Sequence, residues 1–400
     1  MNKPFRGLLA LCSLVIFFST SLSAQKTVQG LDDFLKNIQA NSKLPGFAVA
    51  VVKKDAILFS KAYGYADKKK KTPYTPETIQ PVGSVSKTFI ALALMQGVEK
   101  GWFTMETPVN DILPFKVINP NFPTEPIRIK HLVTHTSGLL DNEVCYSKTY
   151  TASKKPSAEM NNFLKGYYTP GGTYYDTANF SHTAPGKKYV YSNIASALAA
   201  YIVEIKAKVS FPAYCATNIF NPLRMTDSHW LYDESKAGKY ATLYEVNRQE
   251  QAIYKDLVNS DGSVKNYSCV TYPDGSLKTS LNDLTKYLGA MIKGYSGEGV
   301  LLTKPSYDKL FMKQFTPQNM PATMDPREPN RAVFWSYNRK GRIGHTGSDI
   351  GIAAFISFDP VTKTGRVVMI NTELEGMDNI TVIEAFVNLM KGLDNFEAGK

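Results

Sequence analysis

Strand-like segments occur at both ends of the 400-residue sequence, and helix-like segments fill its middle. Near the amino end, residues 46–52 and 56–65 flank a Lys-Lys-Asp turn and predict a β-hairpin. Near the carboxyl end, apolar segments bounded by turn sequences predict strands over residues 332–337, 341–346, 352–358 and 366–371. This pattern predicts one sheet built from both ends of the chain, with a helical region inserted.

Helical spacing of apolar residues completes the predicted plan. The predicted helices cover residues 31–38, 84–100, 131–134, 193–206, 280–293 and 380–393. We therefore expect an α+β fold in one domain, residues 25–400. Its sheet is expected from about residues 25–108 and 311–400, and its helical region from about residues 109–310.

The first 24 residues have the three parts of a secretory signal peptide. Lys3 and Arg6 precede an apolar run at residues 8–18, and small residues follow as far as Ala24. The run is too short to span a bilayer as a stable anchor. We therefore expect cleavage after Ala24, a periplasmic or secreted protein, and no transmembrane anchor in the mature chain.

The mature chain is predicted to be basic, yet nothing in it points to nucleic acid or metal. Loss of the signal's two basic residues lowers the formal charge from +11 to +9. The lysines at residues 68–71 have no interleaved aromatic residues, so we interpret them as a solvated turn and expect no nucleic-acid partner. Cys145, Cys215 and Cys269 can form at most one disulfide and lack metal-ligand spacing. We expect neither a metal nor a cofactor.

Ser84 and Lys87 form an S-x-x-K sequence at the start of a predicted helix. Residues three apart share a helix face, so the Lys87 amine can reach the Ser84 hydroxyl. A serine hydroxyl becomes a nucleophile when a base takes its proton, and a lysine is such a base where burial or nearby positive charge lowers its pKa. By itself the pattern is weak, because residues 23–26 and 306–309 also match it. Neither of those begins an apolar helix.

Two further patterns follow in order along the chain. Tyr191-Ser192-Asn193 is the only Y-x-N of the sequence and precedes a predicted helix, whereas His345-Thr346-Gly347 ends a predicted strand. The ordered set S-x-x-K, Y-x-N and [KH]-T-G resembles the class C β-lactamase and penicillin-binding protein family. Residues 131–139 and 344–358 also resemble it, and the likeness spans about residues 46–386. The resemblance implies a β-lactamase/transpeptidase-like fold: an antiparallel sheet flanked by helices, with the active site beside an inserted, mostly helical region.

The resemblance also implies roles for the motif residues. Ser84 corresponds to the nucleophile, Lys87 to its proton acceptor, and Tyr191 to the group that passes protons to the leaving group and helps activate water. Asn193 would hold Lys87 and a substrate amide or carbonyl. The backbone N–H groups of Ser84 and Ser348 would form the oxyanion hole.

The third motif departs from the pattern of dedicated class C β-lactamases, which have lysine at its first position to attract the substrate carboxylate. His345, with Thr346 and Gly347 in the implied substrate-binding strand, resembles D-alanyl-D-alanine peptidases, D-aminopeptidases and related esterases instead. Neutral histidine binds an anion less well than lysine, and Arg342 is close enough in sequence to be a candidate that compensates. We therefore rank peptidase, esterase or acyl-transfer activity above hydrolysis of β-lactam antibiotics.

Two alternatives remain open at this stage: a β-lactamase, and a penicillin-binding sensor that is acylated once without turnover. The expected partner is a small molecule or short peptide that donates an acyl group from an ester or amide. Aromatic residues crowd residues 145–180, and they either form a wall for an apolar acyl or acceptor group or pack the loop down. His131 and His135 are interpreted as hydrogen-bonded core residues.

Overall fold

The computed structural model describes residues 25–54, 56–245, 247–374 and 380–400. The predicted signal peptide, residues 1–24, therefore lies outside the described residues. Within those ranges, no helix is both long enough and apolar enough to cross a membrane.

An eight-stranded antiparallel sheet forms the centre of the molecule, in the order β10-β11-β12-β13-β14-β1-β2-β3. The strands are β1 Gly46–Lys53, β2 Ala56–Asp67, β3 Thr72–Pro73, β4 Ile79–Pro81, β5 Tyr150–Thr151, β6 Leu243–Tyr244, β7 Ser263–Val264, β8 Ser268–Cys269, β9 Lys278–Ser280, β10 Asn330–Arg331, β11 Ser336–Tyr337, β12 Ile343–Asp349, β13 Ile352–Phe358 and β14 Thr364–Ile370. Strands β4 to β9 form three separate two-stranded pairs.

The helices lie mainly between the two groups of sheet strands in the sequence. They are α1 Val28–Asn41, α2 Lys87–Glu99, α3 Ile129–Val133, α4 Glu143–Ser147, α5 Met160–Tyr168, α6 Asn193–Ala207, α7 Phe211–Cys215, α8 Asn221–Leu223, α9 Arg248–Ile253, α10 Leu281–Tyr295, α11 Lys304–Phe311 and α12 Ile380–Glu397. Short 3₁₀ turns connect several of them, and the turn Gly83–Ser86 leads directly into α2.

Strand β1 joins the two ends of the chain. Val49 pairs with Val368 of β14 on one side and with Lys61 of β2 on the other. Residues 46–52 are all buried, because helices cover both faces of the sheet at this strand.

Alternate residues of β1 enter separate cores. Phe47 and Val51 pack with helices α1 and α12 on one face of the sheet. On the other face, α10 covers β1 and β14, and the Phe89 ring of α2 stacks on Tyr287 of α10 at 3.9 Å between centroids. Helix α2 is buried along residues 87–97, which suits a central helix enclosed by other elements.

Three predicted elements differ from the structure in a way that has a clear physical reason. The predicted strand 332–337 is confirmed only at β11, residues 336–337. Residues 332–335 form the turn between β10 and β11, in which the Ala332 N–H donates to the Trp335 carbonyl oxygen at 2.8 Å. This apolar run is buried as a turn, and periodicity alone cannot separate that from a buried strand. The predicted helix at 84–100 begins with the 3₁₀ turn, so its α-helical part starts only at Lys87. Strand β12 continues to Asp349, because a tight turn at Gly351 (φ +70°) lets it pair with β13 along its whole length.

Candidate active site

The three sequence motifs meet in one cavity of about 430 Å³. The predicted site residues that line it are Ser84, Tyr191, Asn193, His345, Thr346 and Ser348. The two remaining predicted residues, Lys87 and Gly347, are buried directly behind this lining. Segments more than 250 residues apart in the sequence thus form one surface.

Two glycines allow the 3₁₀ turn that carries Ser84 to lie against strand β12. Gly83 has φ +52°, and a Cβ there would lie 2.8 Å from the Ser348 nitrogen. A Cβ on Gly347 would lie 2.0 Å from the Val82 carbonyl oxygen and 3.1 Å from the Ser84 nitrogen. The backbone N–H groups of Ser84 and Ser348, predicted to form the oxyanion hole, therefore lie at the same close junction.

The Lys87 side chain is fully buried and makes three hydrogen bonds. Its Nζ donates to Ser84 Oγ at 3.0 Å, to Asn193 Oδ1 at 2.7 Å and to the Asp274 carbonyl oxygen at 2.7 Å. The first hydrogen bond brings the Lys87 amine into contact with the Ser84 hydroxyl, and the other two fix the position of the amine. The arrangement suits proton transfer between Ser84 and Lys87.

Tyr191 lies on the other side of Lys87. Its ring centroid is 4.9 Å from Lys87 Nζ, and its ring stacks on His135 at 4.2 Å between centroids. The Tyr191 hydroxyl is buried and has no hydrogen-bond partner among the described residues. A buried hydroxyl without a partner is costly unless a ligand or water satisfies it, so this group is available to a substrate in the cavity.

His345 is buried and supplies no cation. Burial and the nearby Lys87 ammonium lower the pKa of His345 to about 3, so the ring is neutral at neutral pH. Its Nδ1 lies 2.6 Å from the Thr346 carbonyl oxygen; that contact requires the proton on Nδ1 and leaves Nε2 as an acceptor.

Arg342 does not compensate for the missing lysine, contrary to the expectation from sequence. It is buried away from the cavity, where Nη1 pairs with Glu397 of α12 at 2.7 Å. The arginine that lines the cavity is Arg331 on β10. Its Nη2 lies 2.6 Å from Glu328 and donates to the Tyr189 hydroxyl at 2.6 Å. No motif surrounds Arg331, so sequence analysis gave no reason to select it.

The aromatic residues of the segment 145–180 take both of the roles that the sequence left open, walling the site and packing the loop. Tyr146 and Tyr150 line the cavity. Four others are buried in the main core: Phe163, Tyr167, Tyr168 and Phe180. The segment therefore both walls the site and packs the loop.

Two aspartates that sequence analysis missed lie at the same end of the cavity. Burial raises the pKa of Asp274 to about 7, against the opposing effect of Lys87, and its carboxyl accepts the Tyr146 hydroxyl at 3.3 Å. Burial also raises the pKa of Asp349, two residues after the third motif. Both aspartates adjoin motif residues in space, yet the sequence around them carries no pattern that distinguishes them from turn residues.

The remaining predictions concern histidines and cysteines. His131 Nδ1 accepts the Arg128 N–H at 3.2 Å, and His135 is buried, as expected for core histidines. Cys145, Cys215 and Cys269 are free thiols in the structure. Among the described residues, no group of His, Cys, Asp and Glu is arranged to hold a metal ion.

Comparison with known proteins gives relatives of low identity. Protein flp of Staphylococcus aureus (strain MRSA252) is 23% identical over 351 residues, which cover 87% of this chain and 63% of the relative. Penicillin-binding protein 4* of Bacillus subtilis (strain 168) is 26% identical over 230 residues, which cover 52% of this chain and 46% of the relative. The chain thus spans less than two thirds of the length of these relatives.

Solved structures share the fold at similar identity. A class C β-lactamase superposes with a TM-score of 0.67 at 20% identity, covering 91% of this chain and 95% of that one. The octameric penicillin-binding protein homologue from Pyrococcus abyssi gives a TM-score of 0.66 at 23% identity, covering 91% and 77%. These likenesses confirm the predicted α+β, β-lactamase/transpeptidase-like fold. A family model described as Beta-lactamase matches residues 31–385, and the chain therefore belongs to the β-lactamase family.

Proposed function

We propose that this protein is a serine hydrolase or acyltransferase that forms an acyl-enzyme on Ser84. The substrate is an ester or an amide of the small-acyl or D-peptide type. The observation that carries the proposal is the 3.0 Å contact between Lys87 Nζ and Ser84 Oγ at the wall of a cavity. The unpartnered Tyr191 hydroxyl supports it, because it places a second proton-transfer group beside the same amine.

In the proposed acylation step, Lys87 acts as the amine and not as the ammonium that donates the three hydrogen bonds described above. Ser84 Oγ attacks the carbonyl carbon as its proton passes to Lys87 Nζ. The N–H groups of Ser84 and Ser348 stabilise the negative oxygen that forms. Tyr191 gives its proton to the leaving oxygen or nitrogen as the old bond breaks, and it regains a proton from Lys87. In deacylation, Tyr191 first passes its proton to Lys87. Water or another alcohol or amine then attacks the acyl-enzyme and gives its proton to Tyr191, and Lys87 returns its extra proton to Ser84 Oγ as the acyl bond breaks.

The charge of the cavity supports ranking this activity above hydrolysis of β-lactam antibiotics. The carboxyl groups that line the cavity belong to Asp274, Asp325, Glu328, Asp349 and Glu373. Arg331 is the cation in that lining, and Glu328 pairs with it at 2.6 Å. Burial raises the pKa of Asp274 and Asp349, so these two carry less than a full negative charge. The remaining carboxylates of the lining still oppose an anionic substrate more than Arg331 attracts it. The β-lactamase and the non-turnover sensor are the alternatives that the experiments below distinguish.

We further propose that residues 1–24 are a cleaved signal peptide and that the protein acts in the periplasm or outside the cell. The composition of residues 1–24 supports this location. A substrate released from the cell surface or present outside the cell would then reach the site without crossing the inner membrane.

A fluorophosphonate probe should add once, at Ser84. The reason is that Ser84 alone among the serines has its hydroxyl in contact with a buried lysine amine in the cavity, among the residues described. Intact-mass measurement followed by peptide mapping checks the site, and Ser84→Ala is the control that should stay unmodified. An adduct at Ser86 or Ser306, or no adduct, would contradict the assignment.

Turnover of short esters, D-peptides and a chromogenic cephalosporin then separates hydrolase, β-lactamase and sensor, because a sensor releases at most one equivalent of product.

His345→Lys should raise acylation by β-lactams more than it raises ester turnover. The substitution places a permanent cation where the native ring is neutral, and a β-lactam carboxylate gains more from it than an uncharged ester does. The measurement is the ratio of acylation rates for a cephalosporin and an uncharged ester. His345→Gln, which adds no charge, is the control. Equal changes for both substrates would show that this position does not face the carboxylate.

A further inference from the structure

We propose that Asp141 is a positioning residue, which holds Tyr191 and Asn193 in register with Lys87. The inference rests on the proposed function, since it assigns a supporting role for the same proton pathway. Asp141 belongs to none of the three motifs and does not line the cavity. It acts through the backbone of the Y-x-N segment.

The Asp141 carboxylate accepts three hydrogen bonds from the start of helix α6. Its Oδ1 accepts from Ser192 Oγ at 2.6 Å and from the Ile194 N–H at 3.1 Å, and its Oδ2 accepts from the Asn193 N–H at 2.6 Å. These hydrogen bonds favour the ionised form of the carboxyl group, whereas burial opposes them and raises the pKa of Asp141. A negative charge at a helix N-terminus is favourable, because it meets the positive end of the helix dipole and its free N–H groups.

The helix does not need Asp141 for an ordinary cap. Ser192 is already the N-cap residue, and its Oγ accepts the Ala195 N–H at 3.0 Å. The carboxylate therefore adds a tertiary contact to a capped helix. This contact fixes the position of the start of helix α6 relative to the other residues of the site.

Asn193 connects this anchor to the catalytic lysine. Asp141 holds its backbone N–H at 2.6 Å, while its side-chain Oδ1 accepts from Lys87 Nζ at 2.7 Å. Asn193 is thus the single residue that links the Asp141 carboxyl group to the Lys87 amine. A displacement of the Asn193 backbone would move the acceptor that orients Lys87.

His135 holds the other side of the same segment. Its carbonyl oxygen accepts the Val190 N–H at 2.9 Å, its Nδ1 accepts the Ser192 N–H at 3.3 Å, and its ring stacks on Tyr191. His135 and Asp141 are six residues apart on one loop segment. The Y-x-N segment is thus held by that loop segment at two points, His135 and Asp141, and Asp141 provides the carboxyl contact.

The test compares Asp141→Asn with a matched control, Asp283→Asn. Asp283 is also a buried carboxylate near a helix start: its Oδ2 accepts the Asp227 N–H at 2.6 Å and the Ser228 hydroxyl at 3.0 Å, and it lies outside the cavity lining. In each variant an amide replaces one accepting oxygen. We expect similar losses of melting temperature, but only Asp141→Asn should lower kcat, by roughly tenfold to a hundredfold with KM within about twofold.

A double-mutant cycle gives the readout that a purely structural role would not change. If Asp141 acts by positioning Tyr191 and, through Asn193, Lys87, then Asp141→Asn should slow the Tyr191→Phe enzyme by clearly less than it slows the wild type. Ser192→Ala removes the ordinary cap and one of the three hydrogen bonds to Asp141 but keeps the contacts of Asp141 with the Asn193 and Ile194 N–H groups. It should therefore lower the melting temperature while lowering kcat by less than Asp141→Asn does, that is by less than roughly tenfold. This second variant keeps the proposal testable if Asp141→Asn does not fold.

Three results would overturn the proposal: equal kcat for Asp141→Asn and Asp283→Asn, an additive loss with Tyr191→Phe, or a loss in Ser192→Ala as large as that in Asp141→Asn. Failure of the proposed function looks different. In that case the wild-type protein itself shows no adduct at Ser84 and no turnover.

Discussion

Lys87→Met is expected to lower ester turnover by about a hundredfold or more while the protein remains folded. Methionine keeps an unbranched chain of similar length but cannot accept the Ser84 proton. The substitution removes three hydrogen bonds, and it also removes a fully buried ammonium, whose desolvation is itself costly. These effects on stability oppose each other, so we expect a change of only a few degrees in melting temperature beside the large loss of rate.

Lys278→Met is the matched control for this substitution. Lys278 is also buried, and burial lowers its pKa to about 8. Its Nζ donates to the Ser276 carbonyl oxygen at 3.3 Å, whereas Lys87 Nζ donates to Ser84 and Asn193 of the motifs. Its loss should therefore leave ester turnover within a few-fold of wild type. Near wild-type turnover in Lys87→Met would contradict the role of Lys87 as base. A similar loss in both variants would attribute the effect to a buried charge in general.

The sequence was sufficient for the architecture because the sheet strands and central helices carry strong periodic patterns. The hairpin of β1 and β2 and helices α6, α10 and α12 lie within a few residues of their predicted positions. The predicted boundaries were wrong where a run of apolar residues reflects burial and not a regular backbone conformation. The apolar run at residues 332–335 is a buried turn, and nothing in its composition distinguishes it from a strand.

The sequence predicted the members of the candidate site that belong to a motif. It did not predict the residues that lie beside them only in the folded chain. The structure brings Ser84, Lys87 and Tyr191 together, and their roles in a reaction remain predictions. Arg331 and Asp141 could not be selected from the sequence, because their contacts depend on tertiary packing. The hydrogen bond between Ser192 and Asp141, for example, joins residues that are 51 positions apart. Linear spacing contains no information about such contacts unless a motif records them.

Tyr191→Phe separates a proton relay from a packing residue. Phenylalanine keeps the ring that stacks on His135 and faces Lys87, and it loses only a hydroxyl that has no partner among the described residues. The folded state therefore loses little, and we expect the melting temperature to stay within a few degrees. Ester turnover should fall by on the order of a hundredfold or more, because the leaving group and the attacking water lose their proton-transfer partner.

Tyr168→Phe is the control, since Tyr168 is also buried with an unpartnered hydroxyl among the residues described but lies outside the cavity lining. It should keep both stability and turnover. Combining Tyr191→Phe with Lys87→Met tests whether the two groups serve one pathway. If Lys87 returns the Ser84 proton through Tyr191, the double variant should be little slower than the slower single variant, because the second substitution damages a relay that is already broken. Losses that multiply would indicate independent roles, and wild-type turnover in Tyr191→Phe would leave Lys87 as the only base in the mechanism.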